Sequence, residues 1–341
     1  MRRFARFVLT GALLGGLVVP GLAAAAEVNI YSYRKEALIR PQLDAFTEAT
    51  AIEVHLITGS ADGLIERLRS EGRNSPADVL LTTDAGRLAR AREMGLLQAV
   101  RSAALEAGIP AALRDPGGYW FGLSIRARPI FYAKDRVDPA EISTYEDLAD
   151  TKWRGRVLVR SSTNIYNQSF LAAMIAESGA AAAEAWSSAV RANMARRPQG
   201  GDTDQLRALA AGEGDVAIAN SYYFGRLLAS DDPRDRAVAS KIGLIWPNQD
   251  GRGAHVNVSG GAVARHAPNR DSAIRLLEFL ASDEAQELYA RVDHEFPIRG
   301  GIAQSAVVAS FGDFVSDDLP LHLLGKLNAE AVRIFDRAGW R

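Results

Sequence analysis

The 341-residue sequence contains no cysteine. Disulfide bonds, thiolate zinc sites, iron–sulfur clusters and cysteine nucleophiles are therefore excluded. Any metal must be bound through oxygen or nitrogen. Histidine is also scarce, and the five His residues show no i, i+4 pair or other ligand spacing. We therefore interpret each histidine as a structural or surface residue.

An excess of charge of one sign is also absent. The 40 Lys and Arg residues nearly balance the 41 Asp and Glu residues, for a formal net charge of −1. This balance offers no electrostatic basis for binding nucleic acid or an anionic membrane surface. The sequence also lacks the G-x-S-x-G, H-E-x-x-H, P-loop and G-x-G-x-x-G motifs, so we do not expect an enzyme.

Only the N-terminus carries a long apolar run, and residues 1–26 predict a secretory signal peptide cleaved after Ala26. Its parts are a basic start, an apolar stretch and small residues at the cleavage site, namely Arg2, Arg3 and Arg6, residues 7–19, and Ala24 to Ala26. An uncleaved membrane anchor is the alternative, which Gly15, Gly16 and Pro20 disfavour. Removing the three arginines changes the formal charge from −1 to −4. We expect a soluble, exported and mildly acidic product.

The mature chain alternates strand and helix patterns, which predicts an α/β fold of mostly parallel sheets with helices on both faces. The first such patterns are a strand at 28–31, a helix at 36–50, a strand at 52–57, a helix at 62–71, a strand at 79–81 and a helix at 85–94. Later patterns predict helices at 164–177 and 180–195 and a short strand at 262–264.

Two extended runs between Trp120 and Tyr132, without a helix between them, predict the first crossing between two lobes. We assign residues 27–125 plus about 255–300 to an N-terminal lobe, and about 126–254 plus 301–341 to a C-terminal lobe. In such folds the carboxyl ends of strands and the amino ends of helices converge on a cleft between the lobes. We expect the ligand to bind there.

The residues with distinctive chemistry are tyrosines. Tyr222 and Tyr223 are adjacent and follow a predicted strand at 215–219. With Ser221 as the expected N-cap, both phenols fall in the first turn of a helix at the carboxyl end of that strand. Taken alone, the pair is better explained by one packed and one exposed tyrosine.

A third tyrosine changes this interpretation. Tyr166 lies at a second transition from strand to helix, in a segment rich in hydroxyls and amides at 161–169. Three phenols facing one cleft suggest a hard cation, because oxygen ligands suit hard ions. A phenol normally titrates near about 10, but a trivalent ion in a partly dry site can convert it to phenolate. Three phenolates cancel the charge of Fe³⁺.

Three ligands leave an iron centre short of coordination, so we expect an anion to complete it. Arg34 follows the first strand, and Arg126 lies at the first crossing between the lobes. Their planar guanidinium groups could bind a carbonate or similar oxyanion. A structural ion pair is the alternative for each of them. We interpret Arg128 as structural.

Several segments resemble the periplasmic ferric-ion-binding proteins of iron ABC transporters. The resemblance extends over most of the mature chain, and the paired tyrosines and the Asn-Ile-Tyr-Asn-Gln segment are its most specific parts. The segments are residues 28–34, 75–79, 120–128, 164–169 and 220–223. The resemblance implies a two-lobed, type II-like periplasmic-binding-protein fold in which Tyr166, Tyr222 and Tyr223 hold Fe³⁺.

Some members of that family add a His and a Tyr directly after the position of Arg34, where this chain has Lys35 and Glu36. The resemblance therefore implies the subgroup with three tyrosines and a synergistic anion, with Arg34 and Arg126 as anion anchors. Tyr33 or Glu36 could supply an additional ligand.

These features predict a monomeric extracytoplasmic receptor that delivers Fe³⁺ to an inner-membrane ABC permease and catalyses no reaction. The lobes are expected to close on the iron, and the permease to recognise the closed form. Two alternatives remain open. The same fold could bind a polyamine, thiamine or a sugar phosphate, or the chain could be an exported hydrolase with an unrecognised site.

Overall fold

The structure is a computed structural model that describes residues 26–341. The predicted signal peptide therefore lies outside the described residues, apart from Ala26. Among residues 26–341, no helix combines the length and the apolar character needed to cross a membrane.

The regular elements alternate along most of the chain, as the periodicity predicts. The strands are β1 (Glu27–Ser32), β2 (Glu53–Thr58), β3 (Val79–Thr83), β4 (Phe121–Ala127), β5 (Ile130–Ala133), β6 (Val157–Leu158), β7 (Val216–Ile218), β8 (Ile242–Ile245) and β9 (Val256–Val263). The helices are α1 (Glu36–Thr50), α2 (Ala61–Glu71), α3 (Ala85–Glu93), α4 (Ala103–Gly108), α5 (Ile165–Asn193), α6 (Asp202–Ala211), α7 (Ser221–Leu228), α8 (Pro233–Ser240), α9 (Arg270–Leu280), α10 (Asp283–Val292), α11 (Ala306–Ala309) and α12 (His322–Ala338).

The strands form two sheets, which confirms the two-lobed α/β prediction. The first sheet has the order β2-β1-β3-β9-β4, and the second has the order β6-β7-β5-β8. The expectation of mostly parallel sheets is wrong at the level of strand pairs. β9 is antiparallel to both β3 and β4, and β5 is antiparallel to both β7 and β8.

The reversed strand in each sheet is the one that enters from the other sheet. β5 follows β4 of the first sheet after only Arg128 and Pro129, and β9 follows β8 of the second sheet. Two chain crossings therefore connect the sheets. The proposed lobe boundaries near residues 125 and 255 fall at these crossings and remain a prediction.

A single buried hydroxyl connects the two crossings. The Tyr145 hydroxyl donates to the carbonyl of Arg128 (2.6 Å) and accepts from the backbone N–H of His255 (3.0 Å). The N–H of Arg128 also donates to the carbonyl of His255 (3.0 Å). Burial, together with the charges of Arg128 and Arg252, lowers the pKa of His255 to about 3. The imidazole is therefore neutral near pH 7. The connection itself uses only the backbone N–H and carbonyl of His255.

The helix predictions are confirmed at two informative places. α1 spans the predicted residues 36–50, although it contains Pro41. The continuous span of α5 contains a break at Gly179, where φ is 82°. A positive φ interrupts a helix and favours glycine. The break lies between the two helices predicted at 164–177 and 180–195.

The strand predicted at 262–264 is too short, because β9 occupies Val256–Val263 and is buried throughout. Asn257, Ser259, Gly260 and Gly261 conceal it from a hydropathy pattern. The glycines are there because neighbouring groups approach closely. A Cβ on Gly260 would lie 2.5 Å from the carbonyl oxygen of Phe121. A methyl group therefore cannot fit without displacing the backbone of β4.

We predict that Gly260→Ala destabilises the protein by about 1–3 kcal/mol, the usual cost of overpacking a buried site. The free energy of unfolding from chemical denaturation measures this. Gly300→Ala is the matched control, because a Cβ there would meet no atom within 4 Å. Equal stability of the two variants would contradict the packing argument.

Candidate metal centre

The three tyrosines lie in the first turns of two helices. The Asn164 side chain caps α5 by accepting from the N–H of Tyr166 (3.0 Å). α7 begins at Ser221, so Tyr222 and Tyr223 are its second and third residues. The expected N-cap role of Ser221 is wrong, because Asn220 occupies the N-cap position. The Asn220 side chain makes no capping hydrogen bond.

A cleft of about 350 Å³ brings most of the predicted site residues together. Its lining includes Tyr33, Arg34, Tyr166, Tyr222 and Tyr223. Tyr33 and Arg34 follow β1 of the first sheet, whereas the other three follow strands of the second sheet. The cleft is thus bounded by residues from both halves of the fold, as the sequence predicts.

Arg126 lies against this group of phenols and is 2% exposed. Its guanidinium carbon lies 4.3 Å from the ring centroid of Tyr166 and 4.9 Å from that of Tyr222. One terminal nitrogen donates to the Tyr222 hydroxyl at 2.5 Å. A permanent cation at this position favours the ionised form of the phenols.

The phenols differ in pKa. Burial alone would raise the pKa of Tyr166, but the charge of Arg126 and hydrogen bonds from Thr83 and Arg126 outweigh it and lower the pKa to about 8. Burial raises the pKa of Tyr222 and Tyr223 above the usual value, despite the nearby Arg126. Tyr166 is therefore the phenol closest to being ionised in the metal-free protein.

Tyr33 lies at the edge of the cleft and is 36% exposed. The nearby Tyr166 and partial burial raise the pKa of Tyr33. Across the cleft, the hydroxyl oxygen of Thr83 lies 3.5 Å from that of Tyr166. Tyr33 lines the same cleft as Tyr166, and its role as an additional ligand stays a prediction.

Arg34 makes a buried ion pair, which is the alternative that the sequence leaves open. Its two terminal nitrogens lie 2.7 Å from Asp293 and 2.5 Å from Glu295. The nitrogen that faces Glu295 also donates to the hydroxyl of Ser124 (3.0 Å). The predicted role of Arg34 as a free anion anchor does not match this arrangement, because its fork is already occupied by carboxylates.

The carboxylates that hold Arg34 are themselves perturbed. Burial, together with the charge of Glu295, raises the pKa of Asp293 to about 6 despite Arg34. Although burial opposes ionisation of Glu295, the charges of Arg34 and Arg126 hold the pKa of this residue below its usual value. Glu295 therefore remains ionised beside the cleft and balances the positive charge of the two arginines.

Glu36 is not brought into the cleft. It is the first residue of α1, its side chain is exposed, and it pairs with Arg40 one turn further along the helix. The prediction of Glu36 as an additional ligand therefore has no support from its position.

Two cations in the cleft lining are not among the site residues predicted from the sequence. Arg226 and Lys35 both line the cleft, and neither makes a salt bridge within residues 26–341. The guanidinium carbon of Arg226 lies 4.9 Å from the ring centroid of Tyr222. Arg226 lies four residues after Tyr222, and residues at this spacing share one helix face. The sequence could therefore have predicted Arg226 near the phenols.

The two lobes also meet beside Tyr166. Asp84, the N-cap of α3, accepts hydrogen bonds from the N–H of Gly86 (2.9 Å) and the hydroxyl of Ser169 (2.6 Å). Ser169 lies three residues after Tyr166 on α5. Asp84 has a φ of 81°, which is costly for a residue other than glycine. This contact fixes the first turn of α5 against the first sheet.

No group of three or more His, Asp or Glu side chains that could hold a metal ion occurs within residues 26–341. The cleft lining instead presents the phenol oxygens of Tyr33, Tyr166, Tyr222 and Tyr223. The first turns of α5 and α7 add the partial positive charge of helix amino ends, which favours bound anions, including phenolates.

The sequence matches a family model described as bacterial extracellular solute-binding protein over residues 42–314. The chain belongs to this family. Solved structures that resemble this chain share its two-lobed solute-binding fold.

Known relatives resemble this solute-binding protein over almost its whole length. Iron uptake protein A1 of Synechocystis is 49% identical over 92% of this chain and 88% of its own length. The structure of the Trichodesmium FutA (IdiA) protein with iron and citrate ligands is similar, with a TM-score of 0.91 and 49% identity over 93% of this chain and 100% of that chain. Apo FutA2 from Synechocystis has a TM-score of 0.89 and 47% identity, over 93% and 100% of the respective chains.

We predict that one tyrosine of this metal-free solute-binding protein ionises near pH 8, because the pKa of Tyr166 is about 8. Lowering the folded-state pKa of an acid favours folding at high pH. This contribution is lost as the pH falls through about 8. A titration of phenolate absorbance should show this early step.

Tyr166→Phe should abolish the step. Tyr223→Phe should retain it, because the pKa of Tyr223 is raised. If the early step survives in Tyr166→Phe and disappears in Tyr223→Phe, the lowered pKa belongs to Tyr223 on α7, and our assignment to Tyr166 is wrong.

Proposed function

We propose that this solute-binding protein is the periplasmic ferric-iron receptor of an ABC importer. The observation that carries the proposal is the convergence of Tyr166, Tyr222 and Tyr223 on one cleft, with Arg126 buried against two of them. An arrangement of oxygen donors with stabilised negative charge suits a hard, highly charged cation.

Charge balance supports Fe³⁺ in particular. Three phenolates neutralise a trivalent ion, so the loaded site adds little net charge to the cleft. Zn²⁺ and Cu⁺ favour imidazole or thiolate ligands, and the described cleft lining contains neither. Iron is also named in the relatives described above: one is an iron uptake protein, and another was solved with iron and citrate.

The residues divide into ligands and supporting groups. Tyr166, Tyr222 and Tyr223 would supply the phenolates, and Tyr33 could add a fourth oxygen from the opposite lobe. Arg126 would not touch the metal. Its position against Tyr166 favours ionisation of that phenol before iron arrives, and its hydrogen bond to Tyr222 would stabilise the phenolate that Tyr222 becomes on binding iron.

A carbonate or similar anion would complete the iron coordination. Arg34 is held by Asp293 and Glu295, so it is poorly placed to bind this anion. Arg126 remains a charge near the site, but its terminal nitrogen already contacts Tyr222. Arg226 and Lys35 line the cleft without salt bridges of their own and are better placed to attract an anion.

A ferric complex of a small carboxylate is the second candidate cargo. The cleft volume of about 350 Å³ exceeds what a single ion needs, and a relative was solved with both iron and citrate. The cations Lys35 and Arg226, which make no salt bridge within residues 26–341, disfavour a polyamine or thiamine, since like charges repel. Mass spectrometry of the small anions released from iron-loaded protein distinguishes carbonate from a carboxylate.

The proposal also covers the delivery of iron to the importer. Iron binding between the lobes would favour the closed form, which a membrane permease would recognise. The receptor would act as a monomer and would catalyse no reaction. Iron-dependent stimulation of ATP hydrolysis by the cognate permease would test the delivery step directly.

We predict that the wild-type protein binds one Fe³⁺ per chain with a visible phenolate charge-transfer band. Tyr222→Phe should weaken iron binding by more than the roughly 100-fold that is typical of changes outside the ligand shell. Equilibrium competition with nitrilotriacetate measures the affinity. The phenyl ring is retained, but the buried Arg126 loses the hydroxyl that accepts its hydrogen bond, so the iron-free variant should fold with a stability lower by about 1–3 kcal/mol.

Tyr132→Phe removes a tyrosine hydroxyl on β5, outside the cleft lining, and serves as the matched control. Its iron affinity should equal that of the wild type. A colourless wild-type protein that retains no iron would refute the proposed function. A Tyr222→Phe variant with normal affinity would refute the ligand assignment.

Iron affinity should rise with pH, because each ligating phenol must lose a proton. Below the pKa of Tyr166, about 8, iron must displace protons from all three phenols. Above it, Tyr166 is already ionised. The slope of log affinity against pH should therefore decrease by about one proton above pH 8.

The change in slope should disappear in Tyr166→Phe, whereas Tyr132→Phe should retain it. Measurements at fixed nitrilotriacetate concentration, corrected for the protonation of the chelator, give the slope. An affinity that is independent of pH would contradict phenolate coordination.

A further inference from the structure

Arg128 connects the two helices that carry the tyrosines. It is 1% exposed and does not line the cleft. One terminal nitrogen donates to the side-chain oxygen of Asn220 (3.0 Å), and the other donates to that of Asn167 (2.6 Å). A single planar guanidinium therefore joins two asparagines that are far apart in sequence.

Both asparagines are close neighbours of the phenols. Asn167 directly follows Tyr166 on α5, and Asn220 is the N-cap of the helix that carries Tyr222 and Tyr223. An N-cap asparagine normally accepts a hydrogen bond from its own helix. Here the Asn220 oxygen instead accepts from Arg128, which explains the missing cap. The local helix therefore gives up a stabilising contact to make this connection.

Asn167 is also firmly held on its other side. Its amide nitrogen donates to the carbonyls of Arg160 (2.8 Å) and Ser161 (3.2 Å), in the loop that precedes α5. The connection to Arg128 thus fixes the loop and the first helical turn as one unit. A shift of Arg128 would move the backbone that carries Tyr166.

Arg128 itself has little freedom to move. Its carbonyl accepts from the Tyr145 hydroxyl, and its N–H donates to His255 on the other crossing. The buried carboxylate of Asp202 lies 3.7 Å from its guanidinium and compensates its charge. The side chain is therefore fixed at its base by the crossings and at its tip by two helix starts.

We propose that Arg128 is a positioning residue that sets the separation between Tyr166 and the Tyr222–Tyr223 pair, and thereby the ionic radius that the cleft prefers. This inference rests on the proposed function. A guanidinium has a rigid fork that can hold two acceptors at a fixed separation, whereas a lysine ammonium is a point charge on a flexible stem. Groups that orient metal ligands control affinity without touching the metal.

Three variants separate geometry from charge. Arg128→Lys keeps the positive charge but loses the planar fork. Asn220→Ser leaves Arg128 in place and supplies a side chain that can cap α7 in the ordinary way while withdrawing from Arg128. Arg128→Met removes the charge as well.

Arg136→Lys is the matched control for the loss of guanidinium hydrogen bonds. Arg136 donates to Asp215 (2.7 Å) and to the carbonyl of Leu209 (2.8 Å), outside the cleft lining. The Arg136→Lys substitution should lower thermal stability without changing metal binding.

The experiment titrates each iron-free protein with Fe³⁺, Ga³⁺ and In³⁺, supplied as nitrilotriacetate complexes. Ga³⁺ is close to Fe³⁺ in radius, and In³⁺ is larger. Arg128→Lys and Asn220→Ser should each bind Fe³⁺ and Ga³⁺ about tenfold more weakly, within the range for groups that orient ligands. Binding of In³⁺ should weaken less, so selectivity falls, and the iron charge-transfer band should shift.

Thermal melting of the iron-free proteins checks that the variants fold. If Arg128→Lys fails to fold, Asn220→Ser still tests the connection, since its helix keeps a cap. Unchanged selectivity and an unchanged band in Asn220→Ser would overturn the proposal. Weak binding confined to Arg128→Met would overturn it too, because the role would then be one of charge. A wild-type protein that binds no iron would refute the proposed function instead.

Discussion

Arg126 is the constraint on which the arrangement of the cleft depends. A guanidinium that is 2% exposed needs compensating negative charge, because burying an unpaired ion is costly. Its neighbours are the rings of Tyr166 and Tyr222 and the carboxylate of Glu295, 3.6 Å away. The phenols can therefore become phenolates with less penalty than their burial would suggest. For Tyr166 this effect exceeds the cost of burial, so the pKa of that phenol is lowered to about 8 without a metal.

Much of the site can be predicted from the sequence, because local order places the tyrosines. Tyr166 and the Tyr222–Tyr223 pair each follow a short strand and open a helix, so strand and helix periodicity alone directs them to one edge of the second sheet. The fold class and the break at Gly179 are visible for the same reason. The tyrosine positions and the break are each encoded in a short stretch of sequence, such as a strand and the helix that follows it. The fold class follows from the repetition of such units along the chain.

Contacts between distant segments could not be predicted. The carboxylates that occupy Arg34 are 259 and 261 positions further along the chain, and no local pattern connects them. Asn220 looks like an ordinary residue before a helix, yet its oxygen is used by Arg128. β9 is hidden because close packing against β4 requires glycine where a strand pattern expects larger apolar residues. Tertiary packing overrides local preference in each case.

The hydroxyl of Tyr145 gives the fold a fulcrum. It joins the backbones of two of the three connections between the lobes as assigned above, so we expect a rotation of one lobe against the other to pivot near this point. In a lever, displacement increases with distance from the axis. Arg126, two residues from the crossing, would move little, whereas Tyr33 at the mouth would move farther. Opening should therefore admit water first at the outer edge of the cleft, while the inner phenols still face their guanidinium.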